Sequence, residues 1–246
     1  MSLYTCDLHV HSCLSPCADN DNTPNNLAGM ATLNNISIMA LTDHNSTKNC
    51  PAFFEACRRY GVIPVPGMEL TTSEDIHVIC LFPSLEKAMA FNEAVDARRI
   101  RYPNSKEIFG DQLIMNGEDE VIGEEEDFLT NATEISMEEV PALVGQFDGV
   151  SYPAHIDREA NGCIAVLGTF PETPYFASFE LHDAEHEEAY REKYPILSDK
   201  RVIVSSDAHY LTDLREENFT IEIPDEPYSG QLVRENLIRL LAGASV

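Results

Sequence analysis

The chain has 246 residues, of which 42 are Asp or Glu and only 16 are Lys or Arg, so its formal net charge is −26. A surface this acidic repels phosphate backbones and anionic membranes, which predicts no nucleic-acid partner and no membrane partner. The length is typical of one α/β domain with a sizeable core. Seven scattered cysteines, with no signal peptide and no long apolar run, favour a cytoplasmic protein without disulfides.

The first predicted element is a strand that ends in two histidines. Apolar or β-prone residues at positions 4, 6, 8 and 10 indicate a buried strand. Side chains alternate faces along a strand, so His9 and His11 are expected to project to the same side. Two neutral imidazoles on one face form half of a site for a divalent metal. Because short motifs also match by chance, a pair of ordinary structural histidines is an equal alternative for this motif alone.

The loop after this strand is polar and contains proline. A loop in this position can fold back over a metal site. Cys17 and Asp19 are its candidate ligands, the thiolate favouring a softer metal and the carboxylate a harder one. The alternative is that Cys17 is a small buried hydrophobic residue and that Asp19 belongs to a solvated turn.

Helices and strands alternate along the next part of the chain. Thr23, followed by proline, predicts the start of a helix, and Gly61 predicts the end of a second helix over residues 51–60. Ser84 is expected to cap a third helix that runs to about residue 101. This βαβα order predicts a parallel sheet closed by helices.

Several apolar runs carry a histidine or a carboxylate at one edge. Six of the eight histidines lie at such an edge, which chance placement would not produce. Because a β/α barrel gathers its strand ends on one face, these side chains are expected to converge. Asp43 is expected behind His44 rather than among the ligands. The expected set is His9, His11, His44, Glu69, His77, His155, Asp207 and His209.

Residues 103–135 interrupt the alternation with acidic runs at 118–120 and 124–127. We expect an insertion on the rim of the barrel, acting either as a lid or as a solvated acidic loop. Ser136 and Glu139 form a capping box that predicts a helix to about residue 147.

Arg158 follows a candidate ligand and could hold a phosphate oxygen through two parallel hydrogen bonds. The equal alternative is a salt bridge from Arg158 to Asp157 or Glu159. His182 and His186 lie four residues apart on a predicted helix, among glutamates on what is expected to be a wet surface. Both are therefore left out of the site.

Together these stretches resemble the successive motifs of the PHP (polymerase and histidinol phosphatase) family, in family order from residue 7 to residue 209. The resemblance implies a distorted (β/α)7 barrel with the metal site at the C-terminal ends of the strands, over residues 1–246 as one domain. It also implies hydrolysis of phosphoesters. The stretches that carry the resemblance are Asp7-Leu8-His9-Val10-His11-Ser12, Thr42-Asp43-His44-Asn45, Gly67-Met68-Glu69, His77, Pro153-Ala154-His155 and Ser206-Asp207-Ala208-His209.

The resemblance further implies two or three divalent metal ions, and the mixed N/O ligands suit Zn, Mn or Fe. The resemblance implies that the carboxylate of Glu69 bridges two of these ions. Glu69, Asp207 and Arg158 are the expected catalytic residues. The implied ligand sets are His9, His11, Glu69 and Asp207 for one ion, Glu69, His77 and His155 for a second, and His44, His209 and Cys17 or Asp19 for a third.

The expected function is hydrolysis of a phosphate monoester or diester in a small metabolite or nucleotide. Clustered divalent ions lower the pKa of a bound water to about 7 and neutralise charge on the phosphate oxygens. One alternative is a nuclease or a proofreading module, which the negative charge and the lack of a basic groove disfavour. Another is a metal-binding scaffold without activity, although the ligand set shows no sign of decay.

Overall fold

The structure is a computed structural model that describes residues 1–216 and 219–244. Within these ranges it contains strands and helices in an irregular alternation. The strands are β1 (Ser2–Val10), β2 (Ile38–Leu41), β3 (Ile63–Thr71), β4 (His77–Leu81), β5 (Leu113–Met115), β6 (Val121–Glu124), β7 (Val150–Pro153), β8 (Ser178–Leu181), β9 (Arg201–Val204) and β10 (Phe219–Ile223). The α-helices are α1 (Pro24–Leu33), α2 (Cys50–Tyr60), α3 (Leu85–Asp96), α4 (Lys106–Phe109), α5 (Val140–Gly145), α6 (Cys163–Leu167), α7 (Glu187–Lys193) and α8 (Gly230–Leu241).

A curled six-stranded sheet, in the order β10-β1-β2-β3-β4-β7, forms the centre of the fold. Strands β1, β2 and β3 pair in parallel. A second, two-stranded parallel sheet of β8 and β9 continues beyond β7. A bridge between Val10 and Ala208 brings the end of this second sheet back to β1. The strands therefore curl into a mixed α/β half-barrel whose strand ends surround one space.

The prediction of a parallel sheet is wrong at β10, which runs antiparallel to β1, and at β4, which runs antiparallel to both β3 and β7. Only residues 72–76 separate β3 from β4, and a parallel pairing needs a crossover of a dozen or more residues. The reversal has a consequence for function. His77 is the first residue of β4 and pairs with Thr71 at the end of β3, so it lies at the same sheet edge as the other candidate ligands.

The predicted helix ends are largely confirmed. The side chain of Thr23 accepts a hydrogen bond from the Asn26 N–H at the start of α1. Gly61 ends α2 with a left-handed φ of 76°, a conformation that glycine adopts without a steric penalty. Ser84 caps α3, but the helix ends at residue 96 rather than 101. The helix predicted after residue 136 is also shorter, since it begins at residue 140 and ends at residue 145.

Apolar side chains on both faces of the sheet build the core. Leu8, Val65 and Tyr152 belong to the layer that packs against α8. Val10 and Phe53 belong to the layer between the sheet, α1 and α2. Because both faces are covered, the strands are fixed in register, and polar side chains at their ends can be held in precise positions. No helix among the described residues is long and apolar enough to cross a bilayer.

The insertion at 103–135 packs on the rim through buried amides and an ion-pair cluster. It contains α4 and the antiparallel hairpin of β5 and β6. The side chain of Asn45 donates to the carbonyl oxygens of Leu129 (2.7 Å) and Asn131 (2.9 Å). Buried Glu125 pairs with Lys48 and Arg99. These contacts attach the insertion to the loop after β2, so it forms a fixed wall beside the candidate ligands.

Candidate metal centre

Glu69 lies at the centre of the cluster of candidate ligands and is almost fully buried. Its Oε1 lies 2.7 Å from Nδ1 of His77 and 3.1 Å from Nε2 of His155. Its Oε2 lies 3.0 Å from Nδ1 of His44 and 3.2 Å from Nε2 of His11. One carboxylate therefore contacts imidazoles from four separate segments of the chain.

His9 and His11 face each other across the space next to Glu69. Their Nε2 atoms are 3.1 Å apart, and Oδ1 of Asp207 lies 3.2 Å from the first and 3.3 Å from the second. The β1–β2 pairing shifts register between Asp7 and Val10, where the two strands stop matching residue for residue. The two histidines project to the same side, as their spacing predicts.

Among the residues that the structure describes, three groups of side chains could each hold a metal ion, and the ligand atoms within each group all lie within 4.8 Å of one another. They overlap, since His11, His44 and Glu69 each belong to two of them. The groups are His11, His44 and His209; His9, His11, Glu69 and Asp207; and His44, Glu69 and His77. The second group has the composition expected for one ion. The group of Glu69 and His77 contains His44, where His155 was expected. The group of His44 and His209 contains His11, where Cys17 or Asp19 was expected.

The structure does not bring Cys17 or Asp19 into these groups. Both residues are exposed. The carboxylate of Asp19 accepts a hydrogen bond from the N–H of Asp21 at 2.8 Å, as the alternative of a solvated turn predicts. The backbone N–H of Asp19 donates to the carbonyl of His209, so the loop is tied to the site through its main chain.

Two of the candidate ligands have a strained backbone. His155 has a φ of 25° and Asp207 a φ of 52°, in the left-handed region that non-glycine residues rarely adopt. Such conformations cost about 1–3 kcal/mol each and persist where the surroundings enforce them. The backbone around Gly162 packs closely against His155, because a Cβ added at Gly162 would lie 3.2 Å from the His155 carbonyl oxygen.

Glu180 is a functional candidate that the sequence reasoning missed. Its Oε1 lies 2.8 Å from Nδ1 of His9 and accepts a hydrogen bond from the backbone N–H of His155 at 3.1 Å. The available signal was a glutamate in the middle of the short strand Ser178–Leu181. A carboxylate buried in a strand is costly unless it has a partner, which points to a specific role.

Asp43 supports the site through serines. Its Oδ1 accepts hydrogen bonds from the Ser12 N–H (2.7 Å) and the Ser15 hydroxyl (2.8 Å). The Ser15 hydroxyl lies 2.9 Å from Nδ1 of His11 and accepts a 3.2 Å hydrogen bond from the N–H of His44. Asp43 thus orients His11 through Ser15 and reaches His44 only through its backbone, whereas the sequence placed it behind the His44 ring.

Arg158 lies at the edge of the cluster and pairs with Asp207, its Nη1 donating to Oδ2 at 2.5 Å. Its Nη2 lies 3.2 Å from both ring nitrogens of His182. The expected alternatives, ion pairs with Asp157 or Glu159, are not what this side chain forms. His182, which the sequence reasoning left out, therefore contacts a residue of the site, while His186 is half-exposed and pairs with Asp157.

The electrostatics of the cluster favour cations. Burial acts to raise the pKa of Glu69, but the imidazoles around it, beginning with His77, hold that pKa well below its usual range. Burial lowers the pKa of His44 well below its usual value, which leaves a neutral imidazole suited to metal binding. For His9 the carboxylates of Glu180, Asp207 and Glu69 overcome the effect of burial and raise the pKa well above its usual value. The carboxylates therefore attract positive charge to this position.

Unpaired buried atoms provide a test of whether the residues fit metal ions. Five nitrogen and oxygen atoms of the cluster are buried without a hydrogen-bond partner of acceptable geometry. The atoms of His44, Glu69 and Asp207 among them still lie within 3.3 Å of the oppositely polarised atoms described above. The two ring nitrogens of His77 and His155 have no such contact, and leaving a buried atom of this kind unsatisfied costs about 1–3 kcal/mol. Nitrogen and carboxylate oxygen donors are the ligands that Zn, Mn and Fe prefer, so coordination would satisfy atoms in this set. The atoms are Nδ1 of His44, Oε2 of Glu69, Nε2 of His77, Nδ1 of His155 and Oδ1 of Asp207.

A buried set of histidines and carboxylates lies at the strand ends of this α/β half-barrel and offers the nitrogen and oxygen donors of a divalent metal centre. The model of the PHP domain family matches residues 7–164, which is well over half of the chain. The chain therefore belongs to the PHP family, and the resemblance seen in its motifs is confirmed. No curated protein matches the sequence.

Solved structures share the fold at low sequence identity. The lesion-specific endonuclease PfuEndoQ from Pyrococcus furiosus matches 99% of this chain with a TM-score of 0.67 and 15% identity, and this chain spans 57% of that protein. PsfC from Pseudomonas syringae matches 97% of this chain and 88% of its own length, with a TM-score of 0.60 and 16% identity. An amidohydrolase from Chromobacterium violaceum, described with bound sulfate and no metal, has a TM-score of 0.53 and 16% identity. The match covers 89% of this chain and 92% of the amidohydrolase. These likenesses establish the fold.

Proposed function

We propose that the chain is a metal-dependent phosphoesterase that hydrolyses a phosphate ester of a small metabolite or nucleotide. The observation that supports the proposal is the contact of one buried carboxylate, Glu69, with five imidazoles, surrounded by three overlapping groups of ligand atoms. A carboxylate with both oxygens in contact with separate donor groups suits a bridge between two ions. The family match supports hydrolysis as the reaction type.

The ligand sets would hold two or three divalent ions, with His9, His11, Glu69 and Asp207 around one of them. Ions bound there would lower the pKa of a coordinated water and neutralise charge on the phosphate oxygens. In the overall reaction water adds to phosphorus and the P–O bond to the leaving alcohol breaks. A monoester gives an alcohol and inorganic phosphate, and a diester gives an alcohol and a monoester.

The side chains behind the ligands fix their orientation. Glu180 accepts a hydrogen bond from Nδ1 of His9 and so directs its Nε2 toward Glu69 and Asp207. Such a carboxylate also makes the imidazole a more basic ligand. Ser15 and Asp43 do the same for His11.

Arg158 is the candidate group for binding substrate phosphate. One of its nitrogens is on Asp207, which places the guanidinium at the edge of the donor cluster, and it carries further N–H donors. A guanidinium is always charged and matches two oxygens of a phosphate at once. It would neutralise an oxygen that the metal ions do not reach.

A nuclease is the second candidate, and one observation favours it. The fold likeness to a lesion-specific endonuclease extends over 99% of this chain, so the expectation that nucleic acid is not a substrate lacks support from the comparisons. The formal charge of −26 opposes binding to a phosphate backbone. This balance of observations places a small substrate first.

Hydrolysis assays on the purified chain, with Mn or Zn added, separate these functions. The substrates are an aryl phosphate, an aryl phosphodiester, a short single-stranded oligonucleotide and a duplex with an abasic site. We expect turnover of an aryl ester and no cleavage of either nucleic acid. Cleavage of a nucleic acid with no turnover of the aryl esters would replace the proposal by the nuclease. Metal binding without turnover of any substrate would indicate a scaffold.

A further inference from the structure

A cavity of about 340 Å³ opens beside Asp207, which also belongs to the donor cluster. Two arginines line it in a chain with few cations, together with two carboxylates, one of which, Asp207, belongs to the donor cluster. Its lining consists of Arg158, His182, Ser206, Asp207, Asp213 and Arg215.

The two arginines are held around a single imidazole. Nη2 of Arg158 lies 3.2 Å from Nε2 of His182, and Nη2 of Arg215 lies 3.3 Å from the same nitrogen. Nη1 of Arg215 also donates to the His182 carbonyl oxygen at 3.0 Å. Burial and the two guanidinium groups lower the pKa of His182, so it is a neutral acceptor. Arg158 is also paired with Asp207, so two positive charges and the carboxylate of a candidate ligand lie together at this cavity.

The wall of the cavity is fixed by a buried carboxylate. Asp157 accepts hydrogen bonds from the N–H groups of His182 (2.8 Å) and Asp183 (3.0 Å). Its Oδ2 also lies 2.9 Å from Nδ1 of His186. Asp213 also lines the cavity, and its Oδ2 accepts hydrogen bonds from the backbone N–H groups of residues 209 and 210. The cavity is therefore preformed, and Asp213 directs one oxygen at the backbone.

We infer that this cavity is a subsite for a second anionic group of the substrate, an inference that rests on the proposed phosphoesterase function. Arg158 contacts Asp207, so it reaches the phosphate that is hydrolysed. Arg215 contacts His182, which lies between it and Arg158 in this chain of contacts. Arg215 is therefore assigned to a second anionic group of the substrate and not to the phosphate that is hydrolysed. A carboxylate and a phosphate share the oxygen pair that a guanidinium recognises. His182 and Arg215 both lie outside the residues matched by the family model, 7–164.

Three matched esters test the subsite: ethyl phosphate, phosphoglycolate with its added carboxylate, and ethylene glycol bisphosphate with its added phosphate. We expect kcat/KM to be about tenfold or more higher for at least one of the two longer anions, the gain of a charge-assisted hydrogen-bonded pair. A preference for phosphoglycolate would identify the second anionic group as a carboxylate, and a preference for ethylene glycol bisphosphate would identify it as a phosphate. Arg215→Gln should lower kcat/KM for that ester about tenfold more than for ethyl phosphate, and Arg215→Lys should lower it less. Kd values measured by calorimetry on the Mn-loaded protein should follow the same order.

Arg201→Gln is the matched control, because Arg201 is an exposed arginine at the start of β9 and should change none of these values. Turnover of ethyl phosphate without a preference for either longer ester would refute the subsite and leave the phosphoesterase intact. The same holds if the preference survives Arg215→Gln with the thermal unfolding temperature unchanged. If no ester is hydrolysed, the proposed function fails, and the Kd values alone decide whether the subsite exists.

Discussion

His9 and Glu180 form a buried pair in which Nδ1 and Oε1 are 2.8 Å apart. The contact leaves Nε2 of His9 facing Glu69 at 3.4 Å and Asp207 at 3.2 Å. Glu180 comes from β8, a strand beyond the residues matched by the family model. The second sheet therefore supplies the carboxylate that sets the orientation of the first histidine of the chain.

Replacing Glu180 by Gln should weaken metal binding without unfolding the protein. The amide keeps the shape but loses the charge that makes His9 a strong ligand, and losses of this kind are about 10–100-fold in metal affinity. A metal titration followed by calorimetry measures the change. Glu222→Gln, at an exposed position on β10, should bind metal like the unaltered protein. Equal affinity in both variants would show that Glu180 does not act through His9.

Gly162→Ala should disturb the turn that carries His155 and Arg158. An added Cβ would lie 2.4 Å from the carbonyl oxygen of Arg158, so the backbone must move. We expect a loss of about 1–3 kcal/mol in the free energy of unfolding, typical of overpacking, together with reduced turnover. Denaturant unfolding and an aryl phosphate assay measure the two effects.

Gly145→Ala provides the control for this substitution. A Cβ at Gly145, the last residue of α5, would meet no atom within 4 Å. Alanine in a helix is more stable than glycine by about 0.5–1 kcal/mol, so this variant should be unchanged or slightly more stable, with full activity. A matching loss in both variants would mean that the close approach at residue 162 is unimportant.

Asn45→Ala should loosen the insertion from the rim. The substitution removes two hydrogen bonds to the carbonyls of residues 129 and 131 and one from the Thr71 N–H. It also places alanine at a φ of 47°. The expected loss is about 2–4 kcal/mol, with faster proteolysis within 103–135. Asn20→Ala, which removes an exposed hydrogen bond to Asp111, should alter neither stability nor cleavage. Unchanged proteolysis of the Asn45 variant would contradict the view of a fixed wall.

The candidate ligands could be predicted from the sequence because each lies at the edge of an apolar run. An edge position and a residue type are local information, and the helix caps at Thr23, Gly61 and Ser84 are local in the same way. These positions lie at one edge of the sheet whether a strand ends there or, like the antiparallel β4, begins there. This is why the candidate side chains lie close together although the predicted direction of β4 is wrong.

The contacts that the sequence did not predict join distant parts of the chain. Glu180 meets a histidine 171 residues earlier, and Arg158 meets Asp207 across 49 residues. His182 and Arg215 come together only because β8 and β9 curl back toward β1. No local pattern distinguishes such a glutamate or arginine from a surface residue, so its role depends on the tertiary fold.

Removal of metal should destabilise the protein. We expect two or three divalent ions per chain by elemental analysis after reconstitution, and a lower unfolding temperature after chelation. An ion that binds only the native state stabilises it by RT ln(1 + [L]/Kd), about 3 kcal/mol at a hundredfold excess over Kd. An unfolding temperature that does not respond to chelator or to added Mn or Zn would contradict the assignment of these side chains as ligands.

The bridging role of Glu69 can be tested with Glu69→Gln. The amide offers one good ligand oxygen instead of two and carries no charge, so two neighbouring cations would repel each other with less compensation. At least one ion should be lost, and hydrolysis with it, while circular dichroism stays unchanged. His186→Ala alters a half-exposed histidine outside the donor groups and should retain metal and turnover.

The most direct measurement of the central claim is the metal content per chain of Glu69→Gln and of His186→Ala, determined beside turnover of the aryl ester. The account predicts that the first variant loses at least one ion and its activity, and that the second matches the unaltered protein. If Glu69→Gln keeps its full metal content and turnover, Glu69 is not the bridge, and the proposed metal centre is wrong.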